Sequence, residues 1–195
     1  MIFGKNYNLI QFQDIERLVN NKIPESKTLD YKKEINIEKG DERKEFLYDI
    51  ASFANSDGGV IIYGVSETKD INNQNTGIPD ELCGLTISNF DKLIQKIEDL
   101  IMSSIEPNIP NLLIRHLSNG NKNLLFISIP KPIGLPRMVT YNGSNKFYKR
   151  RNTGKYLPDV FELNQLFMSN YEIFQQIEEH RQKRVKVVKS LEFVN

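Results

Sequence analysis

The run Val60-Ile61-Ile62-Tyr63-Gly64-Val65 constrains this chain more than any other segment. A short apolar stretch rich in β-branched residues suits a buried central strand. It follows Asp57-Gly58-Gly59, a sequence that stops a helix and turns the chain. That helix is expected from a cap at Asp41 to about Asn55, with Phe46, Leu47, Ile50, Phe53 and Ala54 on its buried stripe. Upstream, Ile10, Ile15, Leu18 and Val19 keep helical spacing, Pro24 interrupts, and residues 29–35 alternate as a strand. Downstream, residues 72–79 read as polar loop, and Ser88 caps a third helix carrying Phe90, Leu93, Ile94, Ile97 and Ile101. Two apolar strands then flank Asn119-Gly120, a hairpin signal. Residues 138–141 and 146–151 suggest edge strands, Pro158 opens a helix to about Met168, and residues 171–188 a further, charged helix. Helices interleaved with strands that include hairpins predict an α+β fold, a mixed sheet with flanking helices. One domain over residues 1–170 with a C-terminal helical extension over 171–195 is the expected organisation.

Composition narrows the setting. At 195 residues, 39% hydrophobic and 26% charged, the chain is long enough to bury a core and is not of disordered type. Cys83 is its one cysteine, so an intramolecular disulfide and a thiolate metal cluster are both excluded, and a reducing compartment, the cytoplasm, is expected. The N-terminus does not read as a signal peptide. No run approaches the ~20 apolar residues that cross a bilayer. The net charge of +1 means that a polyanion would have to meet a local patch. From Lys146 onward, ten Lys/Arg face six Asp/Glu.

Several chemistries are unsupported. GxxxxGK[ST] and GxSxG are absent, and Gly58-Gly59 precede a strand instead of following one, which disfavours a nucleotide-binding domain. His116 and His180 lack the spacing of a zinc site or a triad. What remains is acidic. Glu25 follows Pro24, Asp30 and Lys32 lie two apart on a strand and so share a face, and Glu67 leaves the central strand. Carboxylates of this kind hold Mg2+ or Mn2+, and a nearby lysine adds positive charge for a phosphate. Spacing alone favours solvated surface carboxylates, with Lys32 guarding a strand edge. Asn55 and the Gly58-Gly59 pair read as structural, a helix end and a tight turn.

Three ordered motifs carry a resemblance. ESKTLDYK (25–32) is similar to the ESxxxEFK signature of the Schlafen family's AlbA-type domain. DIASFANSDGGVIIYGVSE (49–67) and FYKRRNTGKYLPDVFEL (147–163) resemble that family's second and third motifs. The resemblance implies nucleic-acid handling, and in the Schlafen proteins proper a two-copy horseshoe that cleaves transfer and ribosomal RNA with three acids and a divalent metal. By motif position those acids are Glu25, Asp30 and Glu67, with Asp30 standing where Glu is usual and Glu67 where Asp is usual. A metal-dependent endoribonuclease acting on structured RNA is the first expectation. A non-catalytic DNA- or RNA-binding module of a transcriptional regulator is the second, and an ATP-binding domain the third. Lys32 is expected against the scissile phosphate. The tract Lys146, Tyr148, Lys149, Arg150, Arg151, Asn152, Thr153 and Lys155 would grip nucleic acid, its aromatics stacking and its cations neutralising phosphates. A single lobe implies a homodimer or a fused or associated second lobe, the 171–188 helix with its Phe174 and Ile177 being a dimerisation arm or a linker.

Overall fold

The computed structural model describes residues 4–38, 40–131, 134–152 and 154–192; along the last helix, side chains are described at 160–168, 175 and 177–184. In chain order come α1 (Phe12–Asn20), β1 (Leu29–Lys32), α2 (Gly40–Ala54), β2 (Gly59–Tyr63), β3 (Val65–Lys69) and β4 (Asn75–Leu82). They are followed by α3 (Phe90–Ser104), β5 (Ile105–Glu106), β6 (Leu113–Ser118), β7 (Asn123–Ile129) and β8 (Met138–Val139). The chain continues with β9 (Lys146–Phe147), β10 (Lys149–Arg151), β11 (Gly154–Tyr156) and α4 (Val160–Glu192). Residues 1–132 with 137–157 form one unit, and residues 133–136 with 158–195 a second.

The first unit is built on a four-stranded sheet in the order β1-β2-β7-β6, parallel between β1 and β2 and antiparallel elsewhere. The apolar run is its second strand, and alternation divides it between two cores. Val60 and Ile62 join Tyr31, Leu124, Phe126 and the α1 residues Ile15, Leu18 and Val19. Ile61 and Tyr63 join Leu125, Ile127 and Ile129 under α2 and α3, where Phe46, Ile50, Phe53, Ile97 and Ile101 close the other face. Period two sends successive side chains to opposite faces, so a strand covered on both must be apolar throughout. This is the α+β mixed sheet with flanking helices read from the sequence.

Local chemistry sets the helix ends. At α1, Asp14 is buried, yet its carboxyl stays below the ordinary range: burial raises it, and the Lys5 ammonium at 2.6 Å and the Gln11 N–H at 2.9 Å outweigh that. Helix α3 is capped by Asn89, whose Oδ1 accepts from the Lys92 N–H at 2.8 Å; the expected cap, Ser88, lies one residue early. Gly58 (φ +68°) ends α2, and a Cβ there would stand 2.7 Å from the Ile129 carbonyl oxygen, too close for any other residue.

Two expectations are corrected. Residues 75–79, read as loop, belong to β4, which pairs antiparallel with β3 as an arm. Much of that arm is solvent-exposed, so no apolar alternation marks it in the sequence. The two C-terminal helices are one continuous helix, because Ser169-Asn170 contains neither a Gly nor a Pro to break it. In the second unit, Ile177 on α4 is 49% exposed, and the side chain of Phe174 lies outside the described residues. Among the described residues no helix is long and apolar enough to cross a membrane.

Candidate functional site

Strand β1 alternates between the two faces. Leu29 and Tyr31 point into the α1 core, so Asp30 and Lys32 share the α2 face. Asp30 is 3% exposed and meets two cations, Arg150 Nη2 at 2.6 Å from Oδ1 and Lys32 Nζ at 2.6 Å from Oδ2. Burial alone would raise the Asp30 carboxyl; the charges of Lys32 and Arg150 win and hold it below the ordinary range. Arg150 is itself locked in place. Its N–H donates to Ser56 Oγ at 2.8 Å, and its guanidinium stands 4.2 Å over the Phe53 ring.

The β3–β4 arm brings the second acid beside the first. Glu25 Oε1 accepts the Tyr31 N–H at 2.7 Å, and the Glu25 N–H donates to the Gly77 carbonyl at 2.7 Å. Gly77 in turn donates its N–H to Glu67 Oε2 at 2.8 Å, and Asn75 Nδ2 donates to Glu67 Oε1 at 3.1 Å. One residue of the arm therefore links the Glu25 backbone to the Glu67 carboxylate. Gly77 has φ +73°, a conformation costly for other residues, and a Cβ there would lie 3.4 Å from the Glu25 Cβ. The Glu25 carboxyl is pushed up to about 7, first by burial, then by the charge of Asp30 and, beyond the opposing Tyr31 N–H, of Glu67.

All three acids and Lys32 line one pocket of about 370 Å3, together with Asp49, Arg150, Asn152 and Lys155. Asp49 escaped the sequence reading. It lies on the α2 stretch in which every residue from Phe46 to Ala54 is buried, and an acid within such a stretch has to find a partner inside. That partner is Lys155, whose Nζ is 2.7 Å from Asp49 Oδ1 and 2.7 Å from Glu45 Oε2. Burial raises the Asp49 carboxyl, and Lys155 and Lys32 only partly offset it.

The basic tract divides. Arg150, Asn152 and Lys155 face the pocket, whereas Lys146 and Arg151 are exposed, and Arg151 lies 4.1 Å over the Tyr156 ring. Tyr148 stacks on Tyr48 at 4.1 Å, and Lys149 is half-buried. Thr153 lies outside the described residues. Arg150, expected among the residues that grip nucleic acid, is 4% exposed and paired with Asp30 at the pocket wall. Asn55 is structural as expected, its side chain bonding the backbone of Arg137 at 2.7 Å in both directions and the Tyr148 carbonyl at 3.0 Å.

For a divalent cation the donors are right in kind. They are all hard carboxylate oxygens, and the acids around Glu25 crowd one another, a repulsion that a cation relieves. Four carboxylates face the three cations Lys32, Arg150 and Lys155, an excess of acid that a bound cation would offset. In arrangement the three acids line one pocket, but both oxygens of Glu67 already accept hydrogen bonds and Asp30 is engaged by cations. Among the described residues no three His, Cys, Asp or Glu side chains are grouped to hold a metal ion, and Asp30 has a cation on each oxygen.

The profile of the Schlafen AlbA_2 family matches residues 25–159, a span that contains Glu25, Asp30, Glu67 and the 146–155 tract. The chain belongs to that family. Its fold is similar to the solution NMR structure of the N-terminal domain of a RecG-related protein from Nitrosomonas europaea. That match has a TM-score of 0.50 and 17% identity over 73% of this chain and 89% of the other. At that identity the likeness speaks for the fold alone. The DIP2311 protein from Corynebacterium diphtheriae is also similar, with a TM-score of 0.43 and 16% identity over 74% of this chain and 29% of its own. No curated relative matches the chain.

Proposed function

We propose that this Schlafen AlbA_2 domain is an endoribonuclease that cuts structured RNA, such as transfer RNA, with the help of Mn2+ or Mg2+. The observation that carries the reading is the convergence of Glu25, Asp30, Glu67 and Lys32, from three separate segments, on one pocket. Glu25 and Glu67 would hold the ion, with Asp30 as the third acid of the family's set. When bound, such an ion supplies positive charge on the phosphate and a more acidic attacking hydroxyl. The chain's own residues do the positioning. Gly77 fixes the two glutamates against each other, Arg150 fixes Asp30, and Lys32 stands at the pocket wall to meet the scissile phosphate. The test is incubation of the purified protein with transfer RNA and Mn2+, with and without EDTA. Defined fragments that vanish on chelation support the reading, and intact RNA under every divalent ion defeats it.

A second reading, a non-catalytic DNA- or RNA-binding module of a transcriptional regulator, has its own support in the ion pairs that occupy both oxygens of Asp30. In either case Arg151, exposed on β10, is the tract's clearest phosphate contact. Arg151→Ala is expected to weaken RNA binding several-fold and to make the slope of log affinity against log salt shallower by about one, since each phosphate contact releases counterions. An unaltered slope would place the RNA elsewhere.

The proposal includes a second copy of the chain, because one lobe gives half of a two-lobed clamp. Ile177, 49% exposed on α4, is part of the candidate contact. Light scattering at high micromolar concentration is expected to give twice the chain mass of 22.6 kDa, with or without RNA. A monomer mass under both conditions excludes the homodimer.

A further inference from the structure

A second cleft of about 380 Å3 adjoins the acidic pocket and shares Lys32 and Asp49 with it. Strands β1 and β2 are parallel and end side by side at Lys32 and Tyr63, and the cleft opens where they end, between residues 34–36 and the first half of α2. Crevices beyond the carboxyl ends of parallel strands are where layered sheets take ligands. Ile35 and Phe46 give this one an apolar wall.

Its polar groups differ in how far they are already engaged. Asp49 and Glu45 are held by Lys155, Asp41 by Lys44, and Glu42 by the side chain of Asn36. Two groups on the cleft are free. Tyr63 is 4% exposed, and among the described residues its hydroxyl enters no hydrogen bond. A hydroxyl that faces a cleft with no protein partner is open to water or to a ligand. Glu34, exposed at the rim, makes neither an ion pair nor a hydrogen bond among the described residues.

We infer that this cleft, lined by Tyr63, Glu34, Ile35 and Phe46, receives an amino-bearing nucleobase of the nucleotide whose phosphate lies at Lys32. The inference rests on the nucleic-acid reading above and adds base selectivity to it. An acid-rimmed cleft repels phosphate, so the flat, uncharged base is the part of a nucleotide that can enter. The Glu34 carboxylate accepts from an exocyclic amine, the pairing by which acidic side chains select cytosine N4–H2. The Tyr63 hydroxyl pairs with a ring nitrogen or carbonyl of the same base. Uracil places its O4 oxygen where cytosine has the amine, so oxygen faces carboxylate and the contact is lost. Bases splayed from single strands and loops are read at their edges in this way.

The experiment measures binding of fluorescent dodecacytidylate and dodecauridylate by anisotropy, in EDTA, so that no strand is cut. The parent is expected to favour the cytidylate about tenfold, the discrimination of one good side-chain-to-base contact. Tyr63→Phe removes one oxygen and is expected to bring the ratio within about twofold with uridylate affinity unchanged. Glu34→Gln, which adds an amide donor for O4, is expected to reverse the preference. Because the ratio compares two strands of equal charge, any general effect of deleting an acid cancels. No preference in the parent, or a preference that survives both substitutions, overturns the inference while leaving the nucleic-acid reading in place. Equal binding of both strands combined with tight binding of a lysine-rich peptide that Glu34→Gln abolishes would reassign the cleft to a cationic protein segment. Failure of the parent to bind either strand would sink the nucleic-acid reading and the inference together.

Discussion

Glu25→Ala and Glu67→Ala are each expected to lower Mn2+-dependent cleavage by on the order of 100-fold or more, the usual effect of removing one group from a preorganised catalytic set. RNA affinity in EDTA should hold or rise slightly, since each substitution removes a charge that repels phosphate. The two losses should not add, because either one displaces the same ion. Asp30 needs a gentler probe. Asp30→Ala would leave Arg150 buried without its counter-charge, so lost activity would be confounded with lost fold. Asp30→Asn keeps an acceptor for Arg150 and removes the charge, and should also abolish cutting. Asp30→Glu with Glu67→Asp restores the acids usual in the family and tests their reach. An inert parent that becomes active in this double variant would be a binding module with a degenerate site. Robust cleavage by Glu25→Ala and Glu67→Ala alike would refute the site assignment.

Arg150→Ala should cost about 3–5 kcal/mol in urea unfolding, the range for stripping one partner from a buried ion pair. The magnitude follows from position. The Arg150 side chain is 2% exposed, the Asp30 side chain 4%, and the guanidinium also covers the Phe53 ring. Arg150→Lys keeps the charge but loses the planar fork and the stack, so most of the loss should remain. Arg150→Met combined with Asp30→Leu removes both charges and should recover much of the stability, because Lys32, 37% exposed, can turn to solvent. A variant Arg150→Ala within about 1 kcal/mol of the parent would show that the residue is a surface contact after all.

The sequence made some of this legible and concealed the rest for physical reasons. The central strand and its flanking helix were readable because Val60 to Val65 and the Phe46–Phe53 stripe announce burial through pattern alone. That Glu25, Asp30 and Glu67 line one pocket follows from no spacing rule, since Glu25 and Glu67 are 42 positions apart; the motif resemblance alone pointed to the three together. Arg150 was misread because a Lys-Arg-Arg run on a short strand looks like a solvated basic edge. Alternation says which neighbours share its face, but not that this face turns inward onto an acid 120 residues earlier. The β3–β4 arm was misread for the opposite reason: held by backbone bonds and exposed along much of its length, it leaves no apolar signature.

The bond between Arg150 and Asp30 joins residues 120 positions apart, so synthesis delivers its acid well before its cation. The ribosome releases the acids of residues 25, 30 and 67 long before it reaches the cation that holds the second of them. A chain interrupted in between carries Asp30 with Lys32 alone at hand, a carboxylate destined for the interior and short of half its neutralising charge.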